Sequence, residues 1–283
     1  MNDIKDMAAD QWSGDVGRNW LANLQRFEDM IAPLGDAALA HAAFRPGERV
    51  IDLGCGGGGT TIAIASAVSP GGHVTGLDIS PDLIAAAAAR ASQRGASDVA
   101  FLCADAASVT VSTAPFDRLF SRFGSMFFPQ VEPAFRNLRR MVKDGGRIDL
   151  VVWAPVADNV WFQLIRGTVA AFAAPPATPP DPHAPGPFAL SDHARLTQIL
   201  EQAGFGDIVI TSCERDLPVG GVGATPQEAA EFAISSMSAT AQVPPEQQAA
   251  AVAKLAEAFM PYHVPGKGNL IKGTALLVSG IAI

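Results

Sequence analysis

The chain has 283 residues, of which 48% are hydrophobic and 17% are charged, so it can bury a large core and is not globally disordered. Acidic side chains outnumber basic ones by 28 to 20, and a formal charge of −8 without a basic run argues against a nucleic-acid-binding protein. Neither a signal peptide nor a membrane-spanning segment is predicted. The three cysteines are widely spaced, so we expect a cytoplasmic protein with neither disulfides nor a metal site.

The elements predicted in chain order begin with two helices, over 16–31 and 34–43. An alternation of strands and helices then begins. The predicted strands are 49–53, 73–77, 99–102, 116–121 and 147–153. Of the helices between them, the first follows the glycine loop and ends near 68, and the others cover 82–94 and 131–142. This alternation predicts an α/β fold with a doubly wound, Rossmann-like, mostly parallel sheet and helices on both faces.

The second half of the chain continues the pattern after a proline-rich, irregular stretch at 173–187. Ser191 is predicted to cap the next helix. A sixth strand over 207–212 and a closing strand over 273–281 flank helices near 226–238 and 245–260, for a total of seven strands. The predicted organisation is an N-terminal helical cap over 1–45, a core over 46–214 and 271–283, and a helical insertion over 215–270 that covers the substrate side as a lid.

A glycine-rich loop follows the first strand. Gly54, Gly56 and Gly59 satisfy the G-x-G-x-x-G spacing of dinucleotide sites, so the glycines alone do not choose a cofactor. Asp52 lies beside the same loop, where a carboxylate would oppose a pyrophosphate and favour a ligand that carries an ammonium and a sulfonium. That ligand is S-adenosylmethionine.

Two further acids follow neighbouring strands. Asp78 ends the second strand, where it can accept hydrogen bonds from ribose hydroxyls, and Asp105 follows the third, where it can meet an adenine amino group. Each acid alone is an ordinary turn residue. Three acids in register with the glycines favour a ligand site at this edge of the sheet.

Several runs of sequence resemble the class I S-adenosylmethionine-dependent methyltransferases, specifically the branch of the ubiquinone and menaquinone biosynthesis methyltransferases with its type 11 domain. The runs are Val50 to Gly58, Phe116 to Phe128, Asn137 to Arg140, Gly145 to Arg147, Trp12-Ser13-Gly14 with Gly17 and Trp20, Trp153, Asn159-Val160-Trp161 and Gly186-Pro187-Phe188. Gly57-Gly58-Gly59 is a richer glycine run than this family usually has.

The resemblance also implies site residues. It implies cofactor contacts from Gly54, Gly56, Asp78, Ile79, Asp105, Ala106 and Ser121, and the predicted cofactor site further includes Asp52, Cys55 and Trp20. It implies an N-terminal helix that closes over the cofactor and a final strand that runs antiparallel.

Two residues are candidates for catalysis, although methyl transfer needs no protein nucleophile because the sulfonium already activates the methyl carbon. Arg122 follows the fourth strand, where it would orient an acidic or carbonyl oxygen or form a salt bridge to Asp52 or Asp105. His183 lies in the proline-rich stretch, where it either reaches the substrate or is solvated.

The rim segments are apolar and predict an aromatic, quinone-like or similarly apolar small-molecule acceptor, methylated at oxygen or carbon. The residues concerned are Phe172, Phe188, Phe232, Ile234, Met237, Phe259, Met260 and Tyr262. Two alternatives stay open, an NAD-dependent oxidoreductase that uses the same glycines and a non-catalytic S-adenosylmethionine-binding protein. The sequence leaves the choice between monomer and homodimer open.

Overall fold

Five strands from the first half of the chain form a parallel sheet in the computed structural model. They are β1 (Arg49–Leu53), β2 (His73–Asp78), β3 (Val99–Cys103), β4 (Phe116–Arg122) and β5 (Val142–Trp153). Their order across the sheet is β3-β2-β1-β4-β5. Most residues of β1 and β4 are buried, as expected for strands covered on both faces.

The structure describes Trp12 and residues 14–173 and 181–283. Part of the predicted N-terminal cap (residues 1–11 and Ser13) and part of the proline-rich stretch (174–180) lie outside the described residues.

The second half of the chain adds antiparallel strands to the edge of β5. β8 (Gly268–Ala282) lies between β5 and β6 (Phe205–Val219) and is antiparallel to both, and the two-residue β7 (His263–Val264) pairs with β8. The antiparallel last strand is therefore confirmed. The described strands number eight rather than seven because the short β7 pairs with β8. The limits of β6 and β8 differ from the prediction because these two strands continue to pair with each other beyond the end of β5.

This continuation produces a two-stranded ribbon above the carboxyl ends of the parallel strands. Ala275 of β8 pairs with Trp153, the last residue of β5, and with Cys213 of β6. The pairing then runs on to Val219 and Asn269, outside the predicted limits of 212 and 273. Backbone groups that no longer face β5 remain bonded within the ribbon, which explains why both strands are long.

Helices connect these strands. They are α1 (Asp15–Ala22), α2 (Leu24–Ala42), α3 (Gly59–Val68), α4 (Pro81–Gln93), α5 (Val131–Met141), α6 (Val160–Val169), α7 (His193–Ala203), α8 (Pro226–Ser236) and α9 (Gln248–Phe259). Within the part of the chain that the structure describes, no helix is both long enough and apolar enough to cross a membrane.

The predicted division of the N-terminal helices is wrong. The break falls at Asn23, and α2 then continues through Pro33, where the prediction had placed a boundary. Proline removes one backbone hydrogen bond from a helix interior. The buried face of α2, which includes Phe27, Ile31 and Leu34, packs in the core and offsets that loss.

Two smaller limits also change. Asp192, not Ser191, caps α7, because its carboxylate accepts a hydrogen bond from the Arg195 N–H at 2.9 Å. Strand β5 begins at Val142 rather than Arg147, since Val142 already pairs with Phe116 of β4.

Candidate active site

The candidate site lies where β1, β2, β3 and β4 end. The strands are parallel, so their following turns meet at one edge of the sheet, which is where ligands bind in open α/β folds. The structure thereby brings together the glycine loop, Asp78, the turn at Asp105 and the turn at Arg122.

The glycine loop turns sharply and touches the turn after β4. Gly54 has a φ of +65°, and its N–H donates to the Leu77 carbonyl at 2.8 Å. A Cβ at Gly54 would lie 2.8 Å from Cα of Gly124, so only glycine permits this contact between two backbones. Gly56 also has a positive φ, of +52°.

Asp78 holds the loop in place through both carboxylate oxygens. Oδ2 accepts the Gly56 N–H at 2.8 Å, and Oδ1 accepts the Ser80 N–H at 3.0 Å. Burial raises the pKa of Asp78, and these N–H groups oppose the rise. Each oxygen keeps a further lone pair, so the carboxylate can still accept hydrogen bonds from ribose hydroxyls.

Asp52 and Ser121 lie beneath the loop and face the protein interior. Asp52 accepts the Thr61 hydroxyl at 2.7 Å, and Ser121 Oγ donates to the Leu53 carbonyl at 3.0 Å. Burial raises the pKa of Asp52 to about 7, although the Thr61 hydrogen bond and the Arg122 charge oppose the rise. Both side chains are buried and support the loop, and their predicted contacts with the cofactor stay predictions.

The turn after β3 is held by its own carboxylate. Asp105 is exposed, and its oxygens accept the Ala107 N–H at 2.9 Å and the Ser108 hydroxyl at 3.2 Å. Ala106 is buried, while the Ile79 carbonyl accepts the Cys103 thiol at 3.6 Å. Asp105 therefore holds this turn, and its predicted contact with the adenine stays a prediction.

Cys55 is a small buried residue of the glycine loop. Burial raises the pKa of its thiol well above the ordinary value, and the charges of Asp52 and Asp78 raise it further. A thiol in this state is a poor nucleophile. The side chain fills space beside Gly76.

The N-terminal helices cover the glycine loop, and this explains the additional glycines. A Cβ at Gly56 would lie 3.9 Å from Trp20 Nε1, one at Gly57 would lie 2.5 Å from a Leu24 methyl, and one at Gly59 would lie 3.1 Å from Glu28 Oε1. Trp20 lies on α1, and Leu24 and Glu28 are four apart on one face of α2, so both helices present a side chain to the loop. The missing side chains therefore allow both helices to approach the loop backbone.

Helix α1 also reaches the Asp78 side. A Cβ at Gly17 would lie 3.0 Å from Ser80 Oγ, next to the N–H that Asp78 binds. The helix thus spans from Ser80 to Gly56, with Trp20 stacked on Phe27 at a centroid distance of 4.1 Å. This arrangement agrees with the expectation of an N-terminal helix over the cofactor site.

The turn after β4 contains features that the sequence analysis did not single out. Phe123 has a φ of +60°, which is unusual for a residue other than glycine and is often found at functional sites. The Ser125 hydroxyl is fully buried and has no hydrogen-bond partner among the described residues. Neither property produces a pattern in the sequence.

His183 lies apart from the glycine loop. It is exposed and lines a cavity of about 310 Å³ with Met126, Phe128 and Arg195, among others. The cavity adjoins the turn after β4 through Met126. Of the predicted apolar rim, Phe232 and Phe259 are instead buried in the core, and Met260 is exposed.

The Asn159-Val160-Trp161 motif has a structural role. The buried Asn159 Nδ2 donates to the carbonyls of Ala154 and Pro155, and its Oδ1 accepts the Thr274 N–H and the Trp161 indole N–H. One amide thereby connects the end of β5, the start of α6 and β8.

Comparisons with known proteins agree with this geometry. Residues 50–146 match the methyltransferase domain family. The chain is 34% identical over 128 residues to an uncharacterised protein of Mycobacterium tuberculosis, with 45% of each chain covered. It is 29% identical over 162 residues to the nocamycin O-methyltransferase of Saccharothrix syringae, with 57% of this chain and 55% of that protein covered. The chain spans about half the length of the curated relatives it matches.

A solved structure extends the likeness in fold. Phosphoethanolamine N-methyltransferase 2 of Haemonchus contortus, in complex with S-adenosyl-L-methionine, superposes with a TM-score of 0.58 at 16% identity and covers 99% of this chain and 60% of that chain. Residues 50–146 therefore match a methyltransferase domain, and the chain has the Rossmann-like α/β fold that the sequence predicted. The quinone-biosynthesis branch stays a prediction.

The residues at the edge of the sheet fit this cofactor. The loop Gly54–Gly56 presents backbone without side chains, Asp78 offers lone pairs to a ribose, and α1 lies over both.

Proposed function

We propose that this chain is an S-adenosylmethionine-dependent methyltransferase that acts on a small molecule. The observation that supports this proposal most strongly is the Asp78 carboxylate, which is bonded to the Gly56 N–H and covered by α1. The bound cofactor would supply a methyl group on a positively charged sulfur.

The protein's contribution is to bind, orient and exclude water. Asp78 accepts hydrogen bonds from the ribose, and Gly54 and Gly56 allow the close approach of the backbone. Trp20 covers the loop and limits the access of water. No protein nucleophile is needed, so positioning of the acceptor accounts for most of the acceleration.

The acceptor is proposed to be aromatic, quinone-like or similarly apolar, with methylation at oxygen or carbon. Aromatic rings lie at the turn after β4: the partly exposed Phe127 and Trp12 are in contact at a centroid distance of 5.1 Å, and beneath them Phe123 stacks on Trp153 at 4.5 Å in the core. Apolar and aromatic walls favour such acceptors. The resemblance to quinone methyltransferases and the similarity to an O-methyltransferase support the same class.

His183 is proposed to contact the acceptor from the cavity that adjoins this turn. A cavity of about 310 Å³ is at the small end of the range for ligand pockets. Exchange of His183 for alanine should lower turnover and leave the affinity for S-adenosylhomocysteine unchanged. Equal turnover in the two proteins would show that His183 is only solvated.

The activity is tested in two stages. Titration calorimetry with S-adenosylmethionine, S-adenosylhomocysteine and NAD should show binding of the first two compounds only. Release of S-adenosylhomocysteine is then measured with a panel of phenols, quinols and hydrophilic acids as acceptors. Binding of NAD alone would support an oxidoreductase, and cofactor binding without turnover on any acceptor would support a non-catalytic binding protein.

The partners follow from the same proposal. We expect a small-molecule acceptor, no nucleic acid and a cytoplasmic location, and the chain acts as a monomer or a homodimer.

A further inference from the structure

Arg122 differs from the other arginine of its strand. Arg118, which lies on the same face of β4, bonds to Glu48, the Ala42 carbonyl and Asp149 at 3.3, 2.6 and 2.7 Å. Arg122, at the carboxyl end of the strand, has no hydrogen bond or ion pair with any described residue, although it is only partly exposed. None of its nitrogens is among the described buried polar atoms without a partner, so its donors are open to solvent and are free to bind an anionic ligand.

The acids around Arg122 are engaged elsewhere. Glu28 forms a bidentate pair with Arg90 at 2.7 and 2.9 Å, and Asp52 accepts the Thr61 hydroxyl. Asp36 is exposed. Desolvation lowers the pKa of Arg122, while the charges of these acids oppose that effect and keep the guanidinium positive.

Helix α2 makes room for this side chain. A Cβ at Gly35 would lie 2.9 Å from Arg122 Cδ and 3.0 Å from Nη1. Glycine within a helix is about 1 kcal/mol less favourable than alanine. Helix α2 nonetheless has glycine at the position where the Arg122 side chain crosses it. The absence of a side chain at Gly35 therefore leaves the space that Arg122 occupies.

The position of Arg122 relative to Asp78 matches one part of the cofactor. β2, β1 and β4 are neighbours in that order, and strands lie about 4.8 Å apart, so the ends of β2 and β4 are separated by about 10 Å. With the ribose at Asp78 and the adenine on the β3 side, the amino-acid tail crosses the glycine loop toward β4. That tail ends in a carboxylate, which guanidinium groups bind well.

We propose that Arg122 binds the carboxylate of the amino-acid tail of S-adenosylmethionine. The inference rests on the proposed function and adds a specific cofactor-binding residue to it. This cofactor-binding role replaces the role that the sequence analysis gave to Arg122, which was to orient the methyl acceptor.

The test compares S-adenosylhomocysteine with its decarboxylated analogue, which keeps the amine and loses only the carboxylate. In calorimetry, Arg122→Gln should weaken binding of S-adenosylhomocysteine by at least about tenfold, the effect of a charged hydrogen bond. Binding of the decarboxylated analogue should change less than about twofold. Arg136→Gln, which removes an exposed arginine on α5, is the charge control and should affect neither ligand.

Gly35→Ala is a second variant that leaves Arg122 in the chain. Alanine favours the helix, and the atoms it would meet belong to a flexible side chain, so the protein should fold while the guanidinium moves. We expect an unchanged or higher Tm and a selective loss of affinity for S-adenosylhomocysteine.

The outcomes separate the two proposals. If Arg122→Gln weakens both ligands equally, or weakens neither, the assignment of Arg122 to the carboxylate is wrong while the methyltransferase proposal stands. If the unmodified protein binds neither S-adenosylmethionine nor S-adenosylhomocysteine, the proposed function itself fails.

Discussion

Asp78 has two functions at the scale of a single residue, since it holds the Gly56 N–H and is proposed to bind the ribose. We expect Asp78→Ala to weaken binding of S-adenosylmethionine and S-adenosylhomocysteine alike, by about 1.5–3 kcal/mol, because both ligands carry the same ribose. Titration calorimetry measures this loss. Asp82→Ala, at an exposed position in the first turn of α4, is the control. An affinity equal to that of the unmodified protein would exclude the ribose role.

Asp52 should make the stability depend on pH. Its pKa of about 7 in the folded protein exceeds the ordinary 3.8, so the folded state takes up a proton between these values. The contribution of Asp52 to the stability is therefore fully present below its ordinary pKa of 3.8 and is lost as the pH rises through its pKa of about 7 in the folded protein. Between pH 4.5 and 8, the free energy of unfolding should therefore fall by about 2 to 4 kcal/mol through this group.

Asp52→Asn removes this dependence, because an amide does not titrate in this range. Urea denaturation at both pH values should show a smaller fall for the variant than for the unmodified protein. Asp98→Asn, an exposed position before β3, should leave the fall unchanged. The same pH dependence in Asp52→Asn and in the unmodified protein would contradict the elevated pKa.

At the scale of elements, the contact between α2 and the glycine loop is coupled through Leu24 and Gly57. Gly57→Ala should destabilise the protein by about 1–3 kcal/mol, because the new methyl would overlap with the Leu24 side chain. In a Leu24→Ala background the same change should cost less. A double-mutant cycle measured by urea denaturation gives this coupling energy. Additive effects of the two changes on the free energy of unfolding would contradict a direct contact between Leu24 and the loop at Gly57.

Gly58 combines strain with crowding. Its φ is +76°, and a Cβ would lie 2.8 Å from that of Ala87 on α4. Gly95 has a φ of +65°, but a Cβ there would meet no described atom within 4 Å. Gly95→Ala should therefore cost only the backbone strain, about 1–2 kcal/mol, and Gly58→Ala clearly more. Equal thermal shifts in the two variants would contradict the close packing of α4 on the loop.

At the scale of the whole molecule, the side chain of Asn159 forms hydrogen bonds that join β5, α6 and β8. Asn159→Ala should lower the free energy of unfolding by about 3–5 kcal/mol, because buried backbone groups lose their partners. Asn137→Ala, which removes two hydrogen bonds at a partly buried position, should cost less. Denaturant titration of both variants tests the order. A smaller loss of unfolding free energy for Asn159→Ala than for Asn137→Ala would contradict this prediction.

The second half of the chain packs against the N-terminal helices. The ribbon of β6 and β8 extends above the edge of the sheet, and α2 packs along it. Phe232 of α8 is buried against Phe27 at 4.9 Å and so joins the second half of the chain to the N-terminal helices. The predicted assignment of 215–270 to a separate lid stays a prediction.

The alternation of strands and helices, the glycine loop and the acid at the end of β2 could all be predicted from the sequence. These features depend on local periodicity, on turns that need glycine and on a carboxylate at a fixed position in a repeating unit, so they are visible in a short window. The predicted class of protein followed from them.

The hydrogen-bond partners of the polar groups around the loop are visible only in the folded protein. Asp52, Ser121 and Asp105 have the residue types of a site, but partners distant in the chain or in their own turn take their hydrogen bonds. Arg122 and Arg118 look alike in the sequence, and only the packing of α2 shows that one is bonded and the other is not. Hydrogen-bond satisfaction depends on the folded neighbours of a group, which local sequence does not contain.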